Sequence, residues 1–284
     1  MSVSKVKREF AAQFMTKAAT FVAVVFVLVL FMLPYRGMIL TSLKPASEAI
    51  STPPTFWPRK FRVESYVALF ANSSLARSFV NSATAAVLST VLTLLLAVPA
   101  AYGIRRATTA FGSAFSIIAL SSRMIPYVAL ALPFFFMMKG AGLTDNILSV
   151  TIAHTTVSLP LALWLLSGFF DSYPLEIEES ARVDGCSRLQ ALYKIVVPTS
   201  MPGIAVTSLF CFLTSWNEFL FALLLTSVHA VTVPIAIANL KTQFSIEWGS
   251  MTALAVLFSL PIVVVSLFLQ KKIIAGMTQG AIKG

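Results

Sequence analysis

Long runs of apolar residues, each closed off by charge, dominate the chain. Ala18 to Tyr35 lies between Lys17 and Arg36, and Phe79 to Ile104 lies between Arg77 and the pair Arg105 and Arg106. A third run, around Gly112 to Met138, is interrupted only by Arg123, and a fourth, Asn146 to Phe170, is bounded by Asp145 and Asp171. The fifth extends from about Pro198 to Thr226 and holds one charge, Glu218; the sixth, Trp248 to Gln270, stops at Lys271 and Lys272. About 20 mostly apolar residues cross a hydrocarbon core, so the pattern predicts an all-α membrane protein with six transmembrane helices. The first run is longer than a signal-peptide core, and no small-x-small cleavage site follows it, so it is expected to remain as a membrane helix. The predicted organisation is a polar amino-terminal segment 1–17, a first transmembrane helix 18–40, a loop 41–76, a core 77–270 and a tail 271–284.

Composition sharpens this. Of 284 residues, 57% are hydrophobic and 11% charged, whereas soluble domains carry about 25% charged residues. A soluble globular fold and a disordered chain are both excluded. The net charge of +10 does not point to nucleic acid, because the basic residues form small clusters beside the apolar runs. Cys186 and Cys211 make no disulfide framework and have no metal-ligand spacing to His154 or His229.

The Lys and Arg bias sets an orientation. With the amino terminus inside, inner segments hold Lys5, Lys7, Arg8, Lys17, Arg105, Arg106, Arg182, Arg188, Lys194, Lys271, Lys272 and Lys283, whereas the two later outer loops hold only Lys139 and Lys241. Both termini are then expected to be cytoplasmic. The first outer loop, with Lys44, Arg59, Lys60, Arg62 and Arg77, departs from the rule; its Pro45, Pro53, Pro54 and Pro58 disfavour helix.

The segment 172–198 carries the densest cluster of the chain's 11 acidic residues and a clear helix grammar. Pro174 suits a first turn, and Glu176, Glu178 and Glu179 favour the positive end of a helix dipole. Gly185 is the expected left-handed stop. Ser187 with Gln190 forms a capping box, and Leu189, Leu192, Tyr193 and Val196 fall on one stripe before Pro198. Two short helices bent at a glycine are predicted on the cytoplasmic side. Glu176, Glu178, Glu179 and Asp184 would be repelled by an anionic leaflet, which favours a protein groove over a lipid surface as the home of this element.

The stretch Glu179-Ser-Ala181, with Asp184-Gly185, Ile195 and Pro198, resembles the EAA loop of importer-type ABC permease subunits. The pattern runs E-A-A, three residues, G, nine residues, I, then L-P; Ser180 and Val197 are mild departures from it. Ser42-Leu-Lys-Pro45, Trp216-Asn-Glu-Phe219, Glu247-Trp-Gly249 and the tail from Gly276 to Gly284 extend the resemblance to the maltose-type second permease of the carbohydrate branch. It implies a type I importer permease fold in a bacterial inner membrane. The implied partners are a second homologous permease, two copies of a cytoplasmic ATPase, an external solute-binding protein and a sugar or polyol solute. It also implies that the loop couples ATPase closure to the membrane helices. Carried over, Glu178, Glu179, Ala181, Asp184, Gly185, Leu189, Leu192, Ile195 and Pro198 form the coupling loop, and Gly276, Gly280 and Lys283 belong to a flexible tail reaching between the ATPase subunits.

The chain has no G-x-x-x-x-G-K-[ST] phosphate cradle, so ATP and Mg are expected on the partner and no cofactor in this subunit. No nucleophile, metal or paired-carboxylate set marks it as an enzyme. Polar residues at membrane depth should face a cavity or a partner; Arg123, His154, Trp216, Asn217 and Glu218 are candidates for a solute path or for helix packing. On a straight third helix, Arg123 would sit about 16 Å from the inner side. Pro99, Gly103, Pro126, Pro133, Pro160 and Pro261 suggest kinks. The competing class is an ion-coupled secondary transporter acting without an ATPase, but no internal repeat supports it.

Overall fold

The computed structural model describes residues 3–106, 109–171, 175–242 and 246–281. The described residues are almost entirely helical: α1 (Val3–Ser42), α2 (Ala46–Ala49), α3 (Glu64–Ala71), α4 (Ser73–Arg106), α5 (Thr109–Ser121), α6 (Tyr127–Gly140) and α7 (Ile147–Asp171), followed by α8 (Leu175–Val183), α9 (Arg188–Ala191), α10 (Val197–Thr199), α11 (Met201–Trp216), α12 (Leu220–Leu225), α13 (Val233–Asn239) and α14 (Trp248–Ala281). Four helices are long and apolar enough to cross a bilayer alone, and two sharply bent pairs bring the number to as many as six. The expected six are reached when each bent pair counts as one span, and the first arm of the second pair, Arg188–Thr199, belongs to the 172–198 segment.

Both breaks have a local cause. The third run bends by 93° between Ile117–Met124 and Tyr127–Gly140. Pro126 forces Ile125 out of the helical region, to φ −70° and ψ 124°, and the preceding Ser122–Met124 tightens into a 3-10 turn. Arg123 sits in that turn, so its depth cannot be read along a straight helix as the sequence suggested. The fifth run follows an 81° bend after Thr199, and its apolar stretch is cut again between Trp216 and Leu220. Pro99, Pro133, Pro160 and Pro261 remain inside helices.

The chain divides into two units. The first comprises residues 1–69 with 243–257. In it the side chains of residues 13–36 lie open, with Phe21, Phe26 and Phe31 about two-thirds exposed, as suits a helix in lipid. Pro45 caps α2, so the proline-rich loop holds a helical turn that its composition disfavoured. The Ser42-Leu-Lys-Pro45 motif closes this loop: the Ser42 hydroxyl bonds the Tyr66 hydroxyl at 2.8 Å, and buried Lys44 donates to the Thr55 carbonyl. Gly249 of the Glu247-Trp-Gly249 motif lies so close to Ser65 that a Cβ there would stand 2.7 Å from its Oγ.

The second unit comprises 70–242 with 258–284, and its core is α4 packed on α7 with α11 against both. The seam is built from small side chains. Ser78, Ser82, Ala85, Ser89, Thr93, Ala97 and Ala101 are buried along one side of α4, and Ser149, Ala153 and Ala162 are buried on α7. Small residues let helix backbones approach where lipid removes the hydrophobic drive for association. Several seam hydroxyls bond the carbonyl one turn back, as Thr90 does to Ala86 and Thr151 to Ile147.

The tail differs from expectation. Helix α14 continues through Ala281, so Gly276 and Gly280 lie in helical backbone rather than in a flexible strand of chain. Lys283, like Pro174, lies outside the described residues.

Candidate functional site

The 175–199 segment begins with α8, which ends in a Schellman arrangement. The Gly185 amide donates to the Arg182 carbonyl at 3.1 Å, and the Cys186 amide reaches back to the Ala181 carbonyl at 3.0 Å. Gly185 takes φ +88°, a conformation that side-chain-bearing residues rarely adopt. Ser187 then starts α9: its hydroxyl accepts the Gln190 amide and the Gln190 side chain accepts the Ser187 amide, completing the capping box.

The single stripe expected from Leu189, Leu192, Tyr193 and Val196 is divided. Residues Leu192–Val196 form a π turn, whose wider winding accompanies a split in which Leu192 and Val196 are fully buried while Leu189 and Tyr193 stay exposed. The buried pair joins Ala97, Ala101, Tyr102, Leu166 and Phe170 in one core cluster.

The acids of α8 also divide. Glu176 and Glu179 face outward, as do Asp184 and Pro198, but Glu178 is 4% exposed and Ala181 is 6% exposed. Glu178, grouped by sequence with the partner-facing acids, is instead committed within the chain. Its carboxylate accepts from the Tyr102 hydroxyl and from Arg106 Nε, the latter at 2.6 Å, and the Arg106 guanidinium lies 5.4 Å from the Tyr102 ring centroid. Removing one member of a buried pair of this kind costs about 3–5 kcal/mol. Next to it, Arg105 pairs with Asp171 at the end of α7. What remains on the open side is Glu176, Glu179 and Asp184 with Arg182, Arg188 and Lys194, among exposed Leu175, Ile177, Val183, Leu189 and Tyr193. Ile195 is half-buried.

The intramembrane candidates separate as well. His154 is buried; its Nδ1 pairs with the Ser215 hydroxyl at 2.7 Å and its Nε2 with Glu218 at 3.0 Å. Glu218 also accepts the amides of Phe221 and Ala222, at 3.0 and 3.2 Å, so it starts α12 just after the break. Trp216 is stacked between Phe212 and Phe258 and donates to the Phe258 carbonyl at 3.1 Å. These three side chains tie the broken fifth run to α7 and α14. Asn217 is exposed, with its amide on the Leu213 carbonyl. Arg123 is half-buried, makes no ion pair or hydrogen bond among the described residues, and lines a cavity of about 480 Å³ with Phe115, Tyr127, Phe134 and Pro160.

Beyond the break, Asp145 holds the 226–230 segment. At φ +54° its carboxylate receives the amides of Ser227, Val228, His229 and Ala230 at 2.9–3.2 Å. Partial burial works to raise its pKa, but these four bonds prevail and hold the carboxyl well below the usual range.

Residues 93–279 match the family described as binding-protein-dependent transport system inner membrane component. The chain belongs to that family. It is 31% identical over 272 residues to the sulfoquinovosyl glycerol transport system permease protein SmoH of Agrobacterium fabrum, covering 95% of both chains. It is 33% identical over 273 residues to the trehalose transport system permease protein SugB of Mycobacterium tuberculosis, covering 94% of this chain and 99% of that one. The fold is that of an ABC importer permease: a bacterial ABC transporter involved in import of the acidic polysaccharide alginate superposes with a TM-score of 0.76 at 21% identity, over 92% of this chain and 97% of that one.

In this permease, sequence reasoning located the loop and missed its internal anchors. Tyr102 and Arg106 were visible only as the end of an apolar run. The available signal was helical phase, because Glu178 and Ala181 are three apart and share a face.

Proposed function

We propose that this permease is one of two such subunits in an ATP-driven importer of a sugar or polyol, and that its 172–198 segment lies on the cytoplasmic side and docks on an ATPase subunit. Two ATPase copies carry ATP and Mg, this chain carries neither, and an external binding protein delivers the solute. The observation that carries the reading is the open face of the loop. Charges of both signs interspersed with apolar side chains on two capped helices suit a protein groove better than an anionic leaflet, which would repel the three acids. The names of SmoH and SugB, which concern transport of sulfoquinovosyl glycerol and of trehalose, support a sugar-like solute.

Arg123 is the path residue we assign. An unpaired guanidinium within a broken span is unfavourable unless it faces water, solute or a partner, and the adjoining cavity gives it that outlet. His154, Trp216 and Glu218 support the path without lining it. The test is affinity purification through a tag on this chain, followed by reconstitution. A second permease and an ATPase should copurify, and uptake should require both ATP and loaded binding protein. A transport-competent particle without an ATPase would overturn the reading.

A further inference from the structure

We infer that Glu178, Arg106 and Tyr102 form a latch that makes the loop and the carboxyl-terminal end of α4 move as one body. Glu178 is thereby a positioning residue for coupling, and α4 is the lever that carries the motion. The inference rests on the docking role proposed above for the loop.

Covalently, the loop is joined to the membrane core at two places only. It follows α7, and it leads into α11 through the 81° bend after Thr199. A segment held only at such joints could pivot and absorb a push. The latch removes that freedom by adding an attachment to a helix 72 residues away in sequence. Both oxygens of the Glu178 carboxylate are held, one by Tyr102 and one by Arg106. Two-point attachment fixes direction as well as distance, and with side-chain exposures of 5% and 18% the ion pair has little competition from water. Leu192 and Val196 of the π turn bury their side chains in the cluster that holds Tyr102 of α4 with Leu166 and Phe170 of α7, so the segment after α9 is seated on the same core that α4 helps to build.

The opposite end of α4 is fastened too. Asn81 donates to the carbonyls of His229 and Val231 at 2.8 and 3.0 Å, and Ser82 accepts the Val233 amide at 2.8 Å. Helix α4 has 34 residues, about 50 Å at the helical rise. One rigid element is therefore bonded to the loop at one end and to the 229–233 segment at the other, a contiguous physical connection of the kind that carries coupling between distant sites.

The test uses the complete importer in proteoliposomes. Glu178→Gln keeps shape and a hydrogen bond to Tyr102 but deletes the charge. The ATPase should still copurify, since the open face is unchanged, while ATP hydrolysed per solute imported should rise on the order of tenfold. An unchanged ratio would overturn the latch. A second measurement needs no variant at the latch: nitroxides at exposed Val183 on α8 and Leu95 on α4 should give one narrow distance, the same without nucleotide and with ATP trapped. A distance that moves between the two states shows the loop sliding over α4 and also overturns the latch. Failure of the wild-type chain to retain any ATPase would sink the docking role instead. In that case the label pair still decides the latch, because Glu178→Gln should broaden the distance in the isolated chain.

Discussion

Replacing Gly185 isolates one physical quantity, the strain of a positive φ angle. A Cβ built on this residue meets no atom within 4 Å, so substitution causes no collision and acts through the backbone alone. At φ +88° a β-branched residue bears strain of order 1–3 kcal/mol. The Schellman bonds to Arg182 and Ala181 would have to break for the strain to relax, and α9 would then leave its present angle to α8. If only the observed bend engages the ATPase, a middle value of about 2 kcal/mol lowers the competent fraction, and with it apparent affinity, about 30-fold. Gly185→Val should therefore insert and express normally yet bind the ATPase weakly or hydrolyse ATP without coupled uptake. Gly185→Asn is the control, since asparagine tolerates the left-handed region, and it should retain most of the coupling. The assay is ATP hydrolysis in proteoliposomes with and without loaded binding protein, measured beside uptake. Wild-type coupling in Gly185→Val would remove the mechanical role of the bend, and Asn as damaging as Val would show that φ is not the cause.

Other positions give independent checks. A Cβ at Gly203 would stand 2.4 Å from the Phe169 ring, so Gly203→Ala should lower thermal stability in detergent by roughly 1–3 kcal/mol of overpacking, and an unchanged melting curve would refute that contact. Asp145→Ala frees four amides and should cost about 1–3 kcal/mol at neutral pH. Because the folded pKa of Asp145 is lowered, its contribution is present above the ordinary carboxylate value and lost as pH falls towards the lowered one. The stability gap between wild type and variant should thus be constant from pH 5 to 8 and narrow below about pH 4. His154→Leu strands the Ser215 hydroxyl and one side of Glu218, so melting temperature should fall while solute preference stays fixed; a changed preference at normal stability would place His154 in the path. Arg123→Leu should assemble normally and impair uptake, and unchanged uptake would leave Arg123 as a snorkelling charge.

How much of this was legible in the sequence depends on which force decided each feature. The spans were legible because hydropathy and bounding charge are local and large. The stop at Gly185 was legible for a similar reason: left-handed backbone selects glycine whatever surrounds it. The breaks were not. Of the prolines noted as possible kinks, only Pro126 turns the chain sharply, while Pro99, Pro133, Pro160 and Pro261 stay within helices. Each removes the same amide, so neighbouring packing decides whether the helix continues. The glycines of the tail show the converse, since Gly276 and Gly280 cost about 1 kcal/mol each relative to alanine and α14 nevertheless runs through them.

The loop shows where composition misleads most. Glu176, Glu178 and Glu179 look alike as a run of acids, and the sequence alone groups them together as acids suited to a protein groove. Their fates differ because α8 turns 100° per residue, and only Glu178 shares the buried side of Ala181 and reaches Tyr102 and Arg106 of α4. The same burial selects Leu192 and Val196 from the expected stripe and leaves Leu189 and Tyr193 outside. Thus the face available to a partner is what the core of α4 and α7 does not claim: Glu176, Glu179 and Asp184 with Arg182, Arg188, Lys194 and the exposed apolar residues around them. A motif that reads as one binding surface is physically two, with Glu178, Ala181, Leu192 and Val196 fixing the loop and their neighbours presenting it. Substitutions on the inner set should change coupling with the ATPase still bound, whereas substitutions on the outer set should change whether it binds at all.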